Sequence, residues 1–320
     1  MHVLITGGGG FLGVKLARLL AAQGTVRGKA ITKLTQADLF APEPVKAPFP
    51  TEGVALDIAD RAAVDAAFAA KPDCIFHLAA VVSGQAEAEF DIGMRVNLHG
   101  TLNLLEAARH AGNRPIFVFT SSIAVYGGEI PEMIEDWTIL NPQTSYGAQK
   151  AAGELMVTDY SRKGFIDGRG LRLPTVTVRP GKPNAAASSF MSSIFREPLQ
   201  GEEANCPVSE EYPIWNSAPR NVVANIAWAA EIPEEEWGQN RCLAIPGQTN
   251  TVREMVDAMT RVAGSNAAGR ITWKPDPFVQ KICAGWRAHI NPAKALRLGF
   301  RQDATFEDNI RWFLEDDIRK

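Results

Sequence analysis

Tyr146 and Lys150 stand four positions apart in "SYGAQK" (145–150), at the head of a run of good helix formers that stops at Gly164. Four residues make about one helical turn, so the phenol and the ammonium would share a face. A free phenol titrates near ~10, about three units above neutral, and at 1.36 kcal/mol per unit a working base requires a correction of roughly 4 kcal/mol. A neighbouring ammonium favours the phenolate. The pair therefore reads as a device for exchanging a proton with a substrate hydroxyl. YxxxK alone arises readily by chance. The serine-rich run "FTSSIAVYG" (119–127) changes its meaning, because a strand ending there would deliver Ser121 and Ser122 to the same cleft. Ser122 can then hydrogen-bond the substrate oxygen and steady its developing charge.

A second group of residues reads as a phosphate cradle. "TGGGGFLG" (6–13) places Gly7, Gly10 and Gly13, with Phe11 and Leu12, between an apolar run and an amphipathic one. Glycines there allow a tight turn and bring free N–H groups to a pyrophosphate at the helix N-terminus. Asp38 closes the next apolar run, where a carboxylate grips the adenosine ribose hydroxyls. Neither Leu39 nor Phe40 is basic, so the cofactor expected is NAD and not NADP. Its positive nicotinamide ring would be a further source of phenolate stabilisation. Asp57, followed by Ile58, either contacts the adenine or caps the following turn; both readings stay open.

These residues need a scaffold of alternating strands and helices. "HVLIT" (2–6), "ITKLTQAD" (31–38), "GVALDI" (53–58), "CIFHLAA" (74–80), "IFVFTSS" (116–122), "RGLRLPTVTVRPG" (169–181) and "RCLAIPG" (241–247) read as strands. Helical patterns fall at 11–24, at 60–70 with Asp60 as cap, at 91–112 and after Tyr146. Alternation of this kind predicts an α/β, Rossmann-type doubly wound parallel sheet. After Pro180 the rhythm breaks, and the C-terminal part reads as a smaller substrate-binding cap over the sheet's carboxyl edge. The expected division is 1–173 with 218–246 for the dinucleotide domain and 174–217 with 247–320 for the cap.

The bulk numbers narrow the class. The chain has 320 residues, 46% hydrophobic and 22% charged, with a net charge of −3. That is ordinary for a soluble globular protein, with neither the basic footprint of a nucleic-acid partner nor an apolar run of membrane-spanning length. The start lacks a signal-peptide pattern, and Cys74, Cys206, Cys242 and Cys283 are scattered, with no CxxC pair. Free thiols in a cytoplasmic protein, with no metal cluster, are the expectation.

In order and spacing, "TGGGGFLG", Asp38, Asp57, "HLAA" (77–80), Asn97, "SSIAVYG" and "SYGAQK" resemble the extended short-chain dehydrogenase/reductase family. The resemblance covers nearly the whole chain. It implies Ser122, Tyr146 and Lys150 as the catalytic trio and NAD as cofactor. It also implies a cofactor lining from Leu78, Ala79, Ala80, Asn97, Pro174, Thr175 and Val176, with His77 as a strand-end residue. Four stretches, "HLAAVVSGQAEAEFD", "SYGAQKAAGEL", "LRLPTVTVRPGKPNAAASSF" and "REPLQGEEANCPV", are similar to the branch that oxidises the C2 hydroxyl of a short sugar acid, an aldonate.

A substrate carboxylate needs a partner, and Arg179 offers a planar fork; its competing reading is a structural arginine paired with an acid. Ser83, Asn184 and Ser188 are weaker candidates for the substrate hydroxyls. A nucleotide-sugar epimerase would keep the same trio but needs a diphosphate site, and the segment after 180 has few basic residues, chiefly Lys182 and Arg196 before Arg220. A dehydratase needs an acid pair where this chain has Ile123 and Ala124. A non-enzymatic NAD sensor would be expected to lose the tyrosine or the lysine. The helices at 91–112 and after Tyr146 are apolar beyond one stripe, in keeping with the homodimer usual in this family.

Overall fold

The computed structural model describes residues 1–181, 189–283 and 285–318. Seven strands form the main sheet: β1 (His2–Thr6), β2 (Lys33–Asp38), β3 (Thr51–Ala55), β4 (Cys74–His77), β5 (Ile116–Ser122), β6 (Asp167–Leu173) and β7 (Cys242–Ala244). They lie in the order β3-β2-β1-β4-β5-β6-β7, and every neighbouring pair is parallel. The order reverses between β1 and β4, which opens a crevice at the strands' carboxyl ends. The longer helices are α1 (Phe11–Gln23), α2 (Arg61–Phe68), α3 (Thr101–Ala111), α4 (Ser145–Arg162), α5 (Phe190–Leu199), α6 (Pro219–Glu231), α7 (Val252–Ala263) and α8 (Phe306–Phe313).

Alternation along the strands sends side chains to two cores. Val3, Ile5, Phe76 and Val118 pack with Leu16 and Leu20 of α1 and Val222 and Ile226 of α6. Leu4, Ile75, Phe117 and Phe119 pack on the other face with Val64 and Phe68 of α2, Leu104 and Leu105 of α3 and Val157 of α4. Both faces are covered, as a parallel sheet requires. A further core joins Val178 and α5 (Met191, Ile194, Phe195) to Met255 and Met259 of α7 and Phe306, Ile310 and Phe313 of α8. Beside it runs a small sheet of Thr175–Val176, Pro213–Ser217 and Gln248–Thr251.

β2, β4 and β7 are shorter than the sequence reading, and three further elements differ for identifiable reasons. The run 169–181 is not one strand: β6 ends at Leu173, and beyond Pro174 residues Thr175–Val176 pair with Asn216 and Ser217 in the small sheet. A proline has no N–H for the ladder, so the chain changes sheets there. β3 occupies 51–55 instead of 53–58, because Asp57 accepts from Ala59 N and closes a turn. The helix expected over 91–112 is broken into Phe90–Gly93, a π-helical stretch Met94–Gly100 and α3. The wide turn surrounds Asn97, whose side chain is held from outside the helix by Val81.

Candidate active site

β5 and α4 position the proposed trio. Ser122 is the last residue of β5, and its hydroxyl accepts from Ala124 N at 3.1 Å, capping the tight turn Ile123–Val125. α4 begins beside that turn, with Thr144 as N-cap accepting from Gly147 N. A Cβ at position 147 would stand 2.2 Å from the Ala124 carbonyl oxygen, so only glycine lets the helix approach the Ser122 turn this closely. Tyr146 and Lys150 then share a face: the Lys150 ammonium lies 5.7 Å from the Tyr146 ring centroid and 4.8 Å from that of Phe119. Lys150 is buried and donates to the Thr120 carbonyl at 2.9 Å.

The electrostatics depart from the sequence expectation. Burial pushes the Tyr146 phenol up to about 12, while the Ser122 hydroxyl and then the Arg179 guanidinium pull it down. Lys150 is itself pushed down to about 7 by burial, against the pull of Glu154. The lysine alone therefore does not make the phenol acidic, because the same desolvation acts on both groups in opposite directions. Their titrations are coupled, since a phenolate would favour the ammonium.

Behind the lysine lies a buried network absent from the sequence reading. Glu154 accepts from Ser121 Oγ at 2.5 Å and forms a forked pair with Arg172, whose other amino group donates to the Tyr126 hydroxyl at 2.6 Å. The spacing Lys150–Glu154, one more helical turn, was a signal available for it. His77 is structural: its ring nitrogens bond the Thr6 and Thr101 hydroxyls, and burial holds it well below the usual histidine range.

The glycine turn fits a dinucleotide. Gly7 has φ +73°, and a Cβ there would meet Ala79 N at 2.7 Å; one at Gly13 would meet the Gly7 carbonyl oxygen at 2.1 Å. Gly10 caps α1 with no side-chain hydrogen bond, so the N–H groups at the Phe11–Leu12 end have no acceptor from the cap residue. Asp38 sits at the tip of β2 and accepts from Gly9 N and Leu39 N. Asp57 bonds both Ala59 N and Arg95, with Ile58 buried beside it. The segment Leu78, Ala79, Ala80 leaves β4 against this turn, with Leu78 N donating to Thr6 O. Asn97 is buried beneath that segment and commits its amide to Val81 and Gln149, so it braces the crevice wall. Pro174 is buried, while Thr175 and Val176 are partly exposed beyond β6.

On the substrate side, Ser83 begins the short helix Ser83–Ala88 and is partly exposed. Arg179 is largely buried, and among the described residues no acid pairs with its guanidinium. It is held lower than a free arginine, first by burial and then by Arg196, while Tyr146 pulls the other way. Asn184 and Ser188 lie outside the described residues. Among the described residues no helix is long and apolar enough to cross a membrane, and no cluster of three or more His, Cys, Asp or Glu is placed to hold a metal. All four cysteines are buried and free.

Residues 3–218 match the model of the NAD dependent epimerase/dehydratase family. The chain belongs to that family. Within the family it is similar to the D-erythronate dehydrogenase of Cupriavidus necator, 51% identical over 99% of this chain and 98% of the relative. It is also 43% identical to the D-erythronate dehydrogenase of Haemophilus influenzae, over 99% of this chain and 100% of the relative. Taken with these two dehydrogenase relatives, the family match indicates an NAD-dependent oxidoreductase acting on a CH–OH group. A crystal structure described as a nucleoside-diphosphate-sugar epimerase from Agrobacterium tumefaciens superposes with a TM-score of 0.95 at 44% identity, covering 99% of this chain and 94% of the other.

Proposed function

We propose that this enzyme oxidises the C2 hydroxyl of D-erythronate to 2-dehydro-D-erythronate with NAD, using Ser122, Tyr146 and Lys150. The observation that carries the reading is Arg179, a largely buried guanidinium without an acid partner among the described residues and coupled electrostatically to Tyr146. A buried cation of this kind calls for a small anion. Near-full-length similarity to two D-erythronate dehydrogenases favours an aldonate as that anion.

Arg179 would hold the carboxylate and set the neighbouring C2 hydroxyl between Ser122 and Tyr146. Ser122 donates to the substrate oxygen, and Tyr146 takes the hydroxyl proton. With the phenol near 12, ionising it at pH 7 is uphill by roughly five units, about 7 kcal/mol at 1.36 kcal/mol per unit. A positive charge on Lys150, 5.7 Å from the Tyr146 ring centroid, would favour the phenolate and offset part of that cost. Bound NAD supplies the hydride acceptor and a further positive charge. Gly7, Gly10, Phe11, Leu12 and Gly13 would hold its pyrophosphate, Asp38 its ribose, and Asp57 with Ile58 its adenine. Leu78, Ala79, Ala80 and Pro174 to Val176 would line the remainder, and Asp38 would disfavour the added phosphate of NADP.

The same reading keeps residues 1–173 with 218–246 as the cofactor domain and 174–217 with 247–320 as the cap. A cytoplasmic homodimer through the 91–112 and α4 helices is part of the proposal, supported by Leu155, which stands 63% exposed on α4.

A nucleotide-sugar epimerase is the second reading, favoured by the Agrobacterium structure's description. The deciding experiment follows reduced nicotinamide by absorbance with C4 to C6 aldonates and uncharged polyols. UDP-sugars are followed by chromatography of the products, because an epimerase regenerates its NAD and leaves no net reduced cofactor. Turnover of D-erythronate is expected, and Arg179→Ala should lower kcat/KM for acids by about 2–5 kcal/mol, the range for removing one partner of a buried charge pair. Polyols should be poor substrates of the native enzyme and change little in the variant. Turnover of UDP-sugars without aldonates overturns the assignment; full aldonate activity in Arg179→Ala overturns the anchor.

A further inference from the structure

α5 grips the segment that carries Arg179 at three points. Thr177 Oγ1 donates to Met191 O at 2.6 Å, Arg179 N donates to Ser192 Oγ at 3.1 Å, and Arg196 Nη1 donates to Arg179 O at 3.1 Å. The last contact brings a second buried guanidinium against the backbone of the first. Arg196 is not left as a free charge: its Nη2 donates to Glu197 Oε1 at 2.6 Å, with the two side chains 5% and 14% exposed. Adjacent residues do not face each other on a helix, so this pair does not follow from helical spacing. The other carboxylate oxygen, Glu197 Oε2, is buried and has no hydrogen-bond partner among the described residues. Such a group is disfavoured unless nearby positive charge holds it. Among the described residues no other acid pairs with Arg179 or Arg196.

We propose that Glu197 sets the charge selectivity of the pocket: it cancels Arg196, so that one net cation, Arg179, faces the substrate. The enzyme then accepts acids with one negative charge and discriminates against those with two. The inference rests on the anchoring role of Arg179 and adds to it a residue that touches no substrate atom. The charged and titratable groups involved are Arg179, Arg196, Glu197 and the Tyr146 phenol that couples to Arg179.

The test uses the NAD-loaded enzyme, with D-erythronate as substrate and meso-tartrate, the dianionic C4 acid of the same relative configuration, as competitive inhibitor. In the native enzyme the KM for D-erythronate should lie well below the inhibition constant of meso-tartrate. Glu197→Gln, which keeps shape and removes charge, should tighten meso-tartrate relative to D-erythronate by roughly tenfold, the size of one uncompensated charge about 12 Å away in a medium of effective dielectric near 20. Arg196→Met/Glu197→Met removes both charges and should restore the native ratio. If Glu197→Gln fails to fold, as read by thermal melting, Arg196→Met alone decides. It leaves Glu197 opposing Arg179 and should weaken D-erythronate about tenfold and the dianion meso-tartrate by roughly another tenfold, with both recovering in the double variant. An unchanged ratio in Glu197→Gln, or unchanged acid affinity in Arg196→Met, overturns this proposal while an Arg179→Ala defect still stands. Full acid use in Arg179→Ala removes the anchor itself.

Discussion

The two ends of β6 treat buried charge in opposite ways. At its amino end, Asp167 is held by three guanidiniums, from Arg27 at 2.9 Å, Arg169 at 2.6 Å and Arg241 at 2.6 Å. Arg27 and Arg169 also donate to backbone carbonyls around the end of α6, at Ala230, Ile232 and Ala229. Every charge there has a partner. Beyond its carboxyl end, Arg179 has none among the described residues, and buried Lys150 has only a carbonyl and two ring faces in direct contact. A buried unpaired charge is disfavoured in the protein alone. The contrast separates a joint that fastens the sheet to its helices from the proposed site, where substrate and cofactor would supply the missing partners.

The largest effect should come from the site. Tyr146→Phe removes the proposed proton acceptor and should lower kcat by the ~10²–10⁴-fold typical of a general base, with NAD affinity, read by fluorescence titration, little changed. Near-native turnover would break the functional side of the contrast. Next in size is Asp167→Asn. It strands the buried guanidiniums of Arg169 and Arg241 and the partly exposed one of Arg27, and should destabilise the fold by about 3–5 kcal/mol in urea titrations, while kcat of the folded fraction stays near native. A silent substitution would show that the amino-end cluster is not a fastening.

The smallest effect sharpens the comparison by its sign. Lys150 is held near 7 in the folded chain, below its free value of 10.5, so the unfolded chain binds more protons between these limits. Stability contributed by this group therefore rises as pH climbs from about 7 to 10.5 and is lowest below 7. In NAD-free protein, Lys150→Met should be more stable than native at pH 7 by a few kcal/mol, at ~1.36 kcal/mol per unit. That gap should close towards pH 10.5. A gap independent of pH would mean that packing, and not the buried charge, sets it.

Much of the scaffold was legible from periodicity. β1, β5, α1 and Asp60 as a helix cap lie where the apolar pattern and cap chemistry put them, because each depends on residues a few positions apart. The strand drawn through Pro174 and the unbroken helix over 91–112 failed for one reason. Their ends are decided by distant partners, Asn216 and Ser217 for the first and Val81 for the second.

For the site, residue type and spacing were enough to single out Tyr146 with Lys150, Ser122 and the glycine turn, since YxxxK and strand–glycine–helix patterns are local. Sequence could also nominate Arg179. It could not tell whether that arginine had an acid partner, because pairing depends on which carboxylates the fold brings near. Nor could it place the phenol near 12 and the ammonium near 7, or join Glu154 to Arg172 and Arg196 to the backbone of Arg179. Those outcomes follow from burial and from contacts between α4, α5 and β6. Desolvation and pairing are properties of the packed interior, and they exist only once the chain has closed around these groups.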